Sequence, residues 1–363
     1  MYTPPTSRGL SNLPVLFFIH GGNFVSGAGN LPYEGIPMSD LKDVITVTIN
    51  YRLGPFGYLV MPGLNDGAVL NLGIEDQRAA LRWVQDNIAN FGGDPSRVTI
   101  YGQSAGARSV IVHLVSPSSA GLFSQAAYFS DPNSIVLSTQ ADALALGERF
   151  ATAIGCASDD TDCLYLQDVD AILQAAKEAT AYLVPDSAIS SFMQLLPSID
   201  GVEITGQPFR LLTEGAFNKV PLLFGTVREE TVLYIYSAWP NPVSTAYYRA
   251  LMNVVMKENG TAVVEQYAPV DGDDQREVMA TVGTYFTFTC PNRYALREMS
   301  KVTDTFYYVF DHAWTFDGWG DHFDFCRGRV CHGGDLPIEF DTGTRERERK
   351  RKVEYQYEYE YEY

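Results

Sequence analysis

Val98-Thr-Ile-Tyr-Gly-Gln-Ser-Ala-Gly106 is the stretch on which the rest of the chain turns. Three β-formers, Val98, Ile100 and Tyr101, run into Gly102-Gln-Ser-Ala-Gly106, and a helix-compatible run from Ala107 to Leu114 follows at once. Gly-x-Ser-x-Gly between a strand and a helix has the form of a nucleophile elbow. The tight turn lifts the Ser104 hydroxyl clear of a sheet. Residues two before and two after the serine must lack bulk where neighbouring backbone passes close. The helix that begins there turns its amide groups and positive dipole end toward a developing oxyanion.

Bulk properties set wide bounds around that stretch. With 363 residues, 46% of them hydrophobic, the chain can bury a sizeable core and fits one large α/β domain or two smaller ones. A formal net charge of −18 argues against nucleic acid or an anionic membrane surface as partner. No apolar run reaches the roughly 18 residues of a membrane span, so no transmembrane segment is expected. Met1-Tyr-Thr-Pro-Pro has neither the basic start nor the apolar core of a signal peptide. Among the five cysteines, Cys156 with Cys163 and Cys326 with Cys331 are close enough to close small loops, which leaves Cys290 single. No Cys/His spacing suggests a zinc site, and nothing calls for a cofactor.

The chain alternates strand and helix. Leu13 to Ile19 (LPVLFFI) is a continuous apolar run, as expected of a strand covered on both faces. It ends in His20-Gly-Gly-Asn-Phe24, where small residues let backbone N–H groups point into a site. Asn23 is the non-glycine type that best tolerates left-handed backbone. Val44 to Asn50 (VITVTIN) reads as the next buried strand. The best helix lies within 71–95, with Ile74, Leu81, Val84, Ile88 and Phe91 sharing one face and Gly92-Gly93 and Asp94-Pro95 ending it. Glu75, Asp76 and Arg78 read as a solvated or salt-bridged helix start rather than as catalytic carboxylates with a partner. Ala126 to Ser130, Lys219 to Gly225 and Thr305 to Phe310 read as further strands, with helical and loop segments over 140–200.

The order HGGNF, NYRLGPFGYL, NLGIEDQRAALRWVQDNIANFGGDP, VTIYGQSAG resembles the type-B carboxylesterase/lipase family, from about Leu13 to about Phe340. The resemblance implies an α/β-hydrolase fold: a mostly parallel central sheet with helices on both faces, and a Ser–Glu–His triad in that chain order. Glu230 in Thr226-Val-Arg-Glu-Glu-Thr231 falls where the family carries its acid, with Glu229 beside it and Thr231 in place of the usual glycine. His332 in Val330-Cys-His-Gly-Gly-Asp-Leu-Pro337 matches the loop of the catalytic base, while His20, His113, His312 and His322 read as structural or surface residues. The oxyanion hole implied by the match is the N–H groups of Gly22, Asn23 and Ala105. The family also carries a small cysteine loop at the place of Cys156 and Cys163, which implies that these two form a disulfide.

These matches imply a serine carboxylic ester hydrolase working through an acyl-enzyme on a small-molecule ester. Gln103 stands where most members have glutamate. In cholinesterases that acid helps hold a cationic substrate, so a neutral ester is the expectation here. The alternatives are a non-catalytic binding member of the same fold, or an inactive fragment. The family is secreted, and Asn259-Gly-Thr261 offers one glycosylation sequon.

Family members are longer at both ends. The opening strands and closing helices are therefore expected to be missing, leaving 1–340 as an incomplete hydrolase domain of doubtful competence. Residues 341–363, with RERERKRK and VEYQYEYEYEY, read as a low-complexity, disordered tail.

Overall fold

Six strands hydrogen-bond into one sheet in the order β2-β1-β3-β4-β5-β6, and every neighbouring pair is parallel. They are β1 (Leu13–Ile19), β2 (Ile45–Thr48), β3 (Gly93–Gln103), β4 (Gln125–Phe129), β5 (Leu222–Val227) and β6 (Thr305–Phe310). The computed structural model describes residues 1–5, 9–30, 33, 35–182 and 188–342. The tail expected to be disordered lies, from residue 343 onward, outside the described residues.

The strands form where the apolar runs place them, within a few residues at each end. In β1, Val15, Phe17 and Ile19 face one side and Phe18 the other, and all four are fully buried. A strand inside a parallel sheet has no wet face, which is why its sequence reads as a continuous apolar run rather than an alternation. The side of Phe17 holds the main core, built with Ile74, Leu81, Val84 and Ile88 of the helical segment that follows β2 and with Val110, Ile111 and Leu114. The side of Phe18 carries an aromatic cluster, Phe18, Tyr101 and Phe129, closed by Tyr33, Leu336 and Phe340.

The Leu72–Asn87 helix passes into a 3-10 turn, Ile88–Phe91, and stops at Gly92 in left-handed backbone (φ 86°). Phe91 does not share the buried face, contrary to the periodicity. It is exposed, with its ring 5.9 Å from Trp83. A 3-10 turn advances 120° per residue instead of 100°, so the last residues rotate out of phase with the helix before them. Glu75 and Asp76 are ion-paired as expected: Arg78 takes Glu75 and Glu203, and Arg52 takes Asp76 at 2.7 Å.

The Gln140–Ile154 and Val169–Thr180 helices form a satellite layer with its own apolar cluster, around Phe150, Leu146 and Ala176. The disulfide Cys156–Cys163 tightens its first loop, and Cys326–Cys331 closes a second loop packed on Val232 and Ala280. Cys290 is free and exposed. At the β2 edge, Tyr2 makes an antiparallel bridge with Thr46.

Candidate active site

Ser104 follows the last residue of β3 and precedes the first residue of the Ala105–Val115 helix. Its backbone is strained, at φ 59° and ψ −121°, a conformation that L-residues rarely adopt. The turn is held by Ser104 N donating to Phe129 O at 2.9 Å. The flanking glycines answer a different demand from the strained φ. A Cβ on Gly106 would lie 2.0 Å from Ile19 O, and one on Gly102 would lie 2.5 Å from Gly106 O. The elbow helix therefore rests directly on the end of β1. Every residue of that helix is buried, in keeping with a sequence that is apolar almost all round.

That contact brings the loop after β1 to the elbow. A Cβ on Gly21 would lie 2.7 Å from Gln103 O and 3.1 Å from the Ser104 Cβ. Gly22 and Asn23 both take positive φ, 111° and 58°. Among the described residues their backbone N–H groups have no acceptor, while Gly22 O accepts from Val25 N and Ser26 N. Ala105 N is at the first position of the elbow helix, where an amide has no carbonyl four residues back to bond. Three N–H groups with no helical or strand partner thus come from the two segments that meet at Ser104.

Glu230 and His332 meet across the end of β5. Glu230 is fully buried; its Oε1 accepts from Val227 N at 2.9 Å, and its Oε2 pairs with His332 Nδ1 at 2.7 Å. The carboxylate thereby requires the proton on Nδ1 and leaves the Nε2 lone pair free to accept. The His332 ring lies against Phe288 and Tyr234, with centroids 5.3 Å away in both cases. Glu229, the alternative acid, does a different job. Its Oε2 accepts from Val330 N at 2.8 Å, and its own N–H donates to Val330 O. It clasps the backbone of the His332 loop, while Glu230 holds the ring.

The other histidines lie elsewhere. His20 is buried and stacked on Tyr51 at 4.5 Å, and desolvation holds its ring below the usual imidazole range. His113 bonds Ser119 and Gln77, and burial with the nearby Arg78 charge pushes it down to about 3. His312 and His322 are exposed.

Three further features bear on how His332 is held. Gln103, 4% exposed, brings its Nε2 to 3.0 Å from His332 Nε2. The Cys326–Cys331 bond ends at the residue before His332 and so fixes the His332 loop. Asp335, three residues past His332, is buried beside a second buried carboxyl, that of Glu339. Burial first, and then the Glu230 charge, push its carboxyl up to about 6. The sequence marks Gln103 by its place before Ser104 and Cys326 with Cys331 by their spacing, but not their bearing on His332, and Asp335 owes its place to burial alone. Among the described residues no cluster of His, Cys, Asp and Glu could hold a metal ion.

Comparison with known proteins agrees with this architecture. The model of the carboxylesterase family matches residues 1–361. The Crystal protein of Dictyostelium discoideum is 36% identical over 346 residues, covering 94% of this chain and 62% of that protein. The para-nitrobenzyl esterase of Bacillus subtilis (strain 168) is 38% identical over 235 residues, 64% of this chain and 47% of that enzyme. A solved structure of PNB esterase superposes with a TM-score of 0.75 at 28% identity, over 95% of this chain and 69% of the other. The chain thus spans somewhat under two thirds of the length of the Dictyostelium relatives it matches. It has the α/β-hydrolase fold and belongs to the carboxylesterase family.

Proposed function

We propose that the chain hydrolyses small, neutral carboxylic esters through an acyl-enzyme, with Ser104 as nucleophile, His332 as base and Glu230 as its orienting acid. The observation that carries this reading is the buried 2.7 Å pair between Glu230 Oε2 and His332 Nδ1, in a loop that also reaches the residue next to Ser104. His332 Nε2 takes the Ser104 proton as Oγ bonds the ester carbonyl carbon. The N–H groups of Gly22, Asn23 and Ala105 receive the oxyanion. Collapse breaks the bond to the alcohol, which leaves with the proton from His332. Water then attacks the acyl-enzyme with His332 again as base, releasing the acid and restoring the serine. Two disulfides and the exposed sequon at Asn259 favour a secreted protein. Among the described residues no helix is long and apolar enough to cross a membrane.

The test is p-nitrophenyl butyrate hydrolysis by the chain and by Ser104→Ala and Glu230→Gln. Loss of a triad nucleophile costs on the order of a million-fold in turnover, and replacing the acid costs up to about ten-thousand-fold. Activity that survives Ser104→Ala removes the assignment. A second reading, a binding protein that does not turn over esters, is favoured by one observation: among the described residues Ser104 Oγ has no hydrogen-bond partner, His332 Nε2 being met by Gln103 instead. Ester binding without turnover in the unsubstituted chain would select it.

A further inference from the structure

The contact between Gln103 and His332 bears on how the base rests between turnovers. Glu230 Oε2 at 2.7 Å accepts the Nδ1 proton, so His332 Nε2 presents a single in-plane lone pair. Gln103 Nε2 lies 3.0 Å from it. Only the NH2 group of a carboxamide can satisfy a lone pair, so the amide donates and the imidazole accepts. The geometry leaves the carboxamide little freedom. Gln103 is 4% exposed, and its Oε1 lies 3.1 Å from where a Cβ on Gly21 would stand. The side chain therefore fills the space between the loop after β1 and the His332 ring.

We propose that Gln103 is a positioning residue that keeps His332 occupied in the ligand-free protein: its amide N–H holds the Nε2 lone pair that must take the Ser104 proton, and an ester must displace it before acylation starts. The inference rests on the reading of Ser104 and His332 given above. An amide N–H does not surrender its proton to imidazole, so the pair is a stable resting state and not a step of the reaction. When His332 becomes imidazolium, Nε2 turns from acceptor to donor, and the same carboxamide has to turn over to offer Oε1. A carboxylate at this position would behave in the opposite sense, since it can only accept and favours the charged ring. The other ionisable groups facing His332 are Glu230 on Nδ1, the buried Asp335 and the Tyr234 phenol, with Glu229 and Arg329 at the foot of the loop. Among the described residues Nε2 is met by Gln103.

The experiment measures covalent labelling of the full chain by a neutral p-nitrophenyl phosphonate, as p-nitrophenolate release with intact-mass readout, across pH. It compares the unsubstituted chain, Gln103→Met, Gln103→Glu and Ser104→Ala. Methionine matches the length of glutamine but has no N–H. Gln103→Met is expected to label about two- to twelve-fold faster, the range that one net neutral hydrogen bond spans. Gln103→Glu, nearly isosteric, is expected to move the acid limb of the labelling profile upward by about one pH unit or more, as an added nearby carboxylate does. A folded Gln103→Met that labels no faster than the unsubstituted chain overturns the inference. So does Gln103→Glu with an unmoved acid limb, which also decides the matter if Gln103→Met does not fold. If the unsubstituted chain fails to label at Ser104, the nucleophile assignment falls and takes this inference with it. Labelling that is normal in the unsubstituted chain but indifferent to Gln103 removes this inference alone.

Discussion

Gly106→Ala tests the contact on which the elbow depends. A Cβ at this position would stand 2.0 Å from Ile19 O and 2.9 Å from His20 O. A carbon and a carbonyl oxygen tolerate an approach of about 3.3 Å, so the helix and β1 must part by roughly 1.3 Å. Neither side can yield cheaply. β1 is held between β2 and β3, and the helix is buried along its whole length. Overpacking of this kind costs typically about 1–3 kcal/mol, and with backbone on both sides the upper figure is expected, about 3 kcal/mol. Turnover should fall further than stability alone predicts. The same displacement carries Gly22 and Asn23 away from Ser104, and a misplacement of about 1 Å can cost a hundred-fold in rate. The assay pairs urea unfolding, followed by tryptophan fluorescence, with p-nitrophenyl butyrate hydrolysis. Gly121→Ala serves as control: its φ of 80° strains an alanine, but no atom lies within reach of the new methyl. It should lose about 1 kcal/mol and keep its turnover. A Gly106→Ala protein within about 0.5 kcal/mol of the parent, with unchanged turnover, would refute the reasoning.

Asp335→Asn should stabilise the protein at neutral pH. The folded state raises this carboxyl from 3.8 to about 6, so between those values the folded chain binds more protons and stability falls as pH rises. Glu339, buried beside it, is raised as well, so the penalty belongs to the pair; unfolding at pH 7 and pH 4 should show a gain at the first and little at the second. Replacing Cys326 and Cys331 together by serine should lower ester turnover more than it lowers stability. The closed loop is short, worth about 2 kcal/mol, but it ends beside His332, the proposed base. Arg108→Met should cost about 3–5 kcal/mol by leaving the Asp131 carboxylate, fully buried and 2.8 Å from the guanidinium, without its partner. Equal urea midpoints for that variant and the parent would contradict it.

Much of the sheet was legible because its strands announce themselves locally. LPVLFFI is apolar without alternation, and the structure buries both of its faces. The elbow was legible because glycines at fixed offsets from a serine satisfy one local steric demand, which the approach of Ile19 O to Gly106 makes concrete. Glu230 and His332 were named by family resemblance and not by physics; read alone, each is an acid or a histidine in a loop. What could not be read was the division of labour between neighbours. Glu229 and Glu230 are adjacent and identical in type, yet one clasps backbone and the other holds the imidazole. That difference arises only in the turn after β5, where Glu229 bridges to Cys331 while Glu230 folds back to accept from Val227 N. Phe91 failed for a related reason: a pattern read at 100° per residue continues past the point where the backbone tightens.

The all-parallel strand order has a consequence for the time at which the site comes into being. Gln103 and His332 are 229 residues apart, and Glu230 and His332 are 102 apart. A ribosome adding about 5–20 residues per second therefore exposes the elbow roughly 10 to 45 s before the imidazole that completes it is synthesised. Through that interval the nascent chain carries Ser104 without His332, and strands whose partners are still to come. Parallel pairing of this kind is dominated by long-range contacts and is slow to form. Recovery of ester hydrolysis during refolding should thus lag every local probe of structure, which makes turnover a reporter of the last event in folding and not of the first.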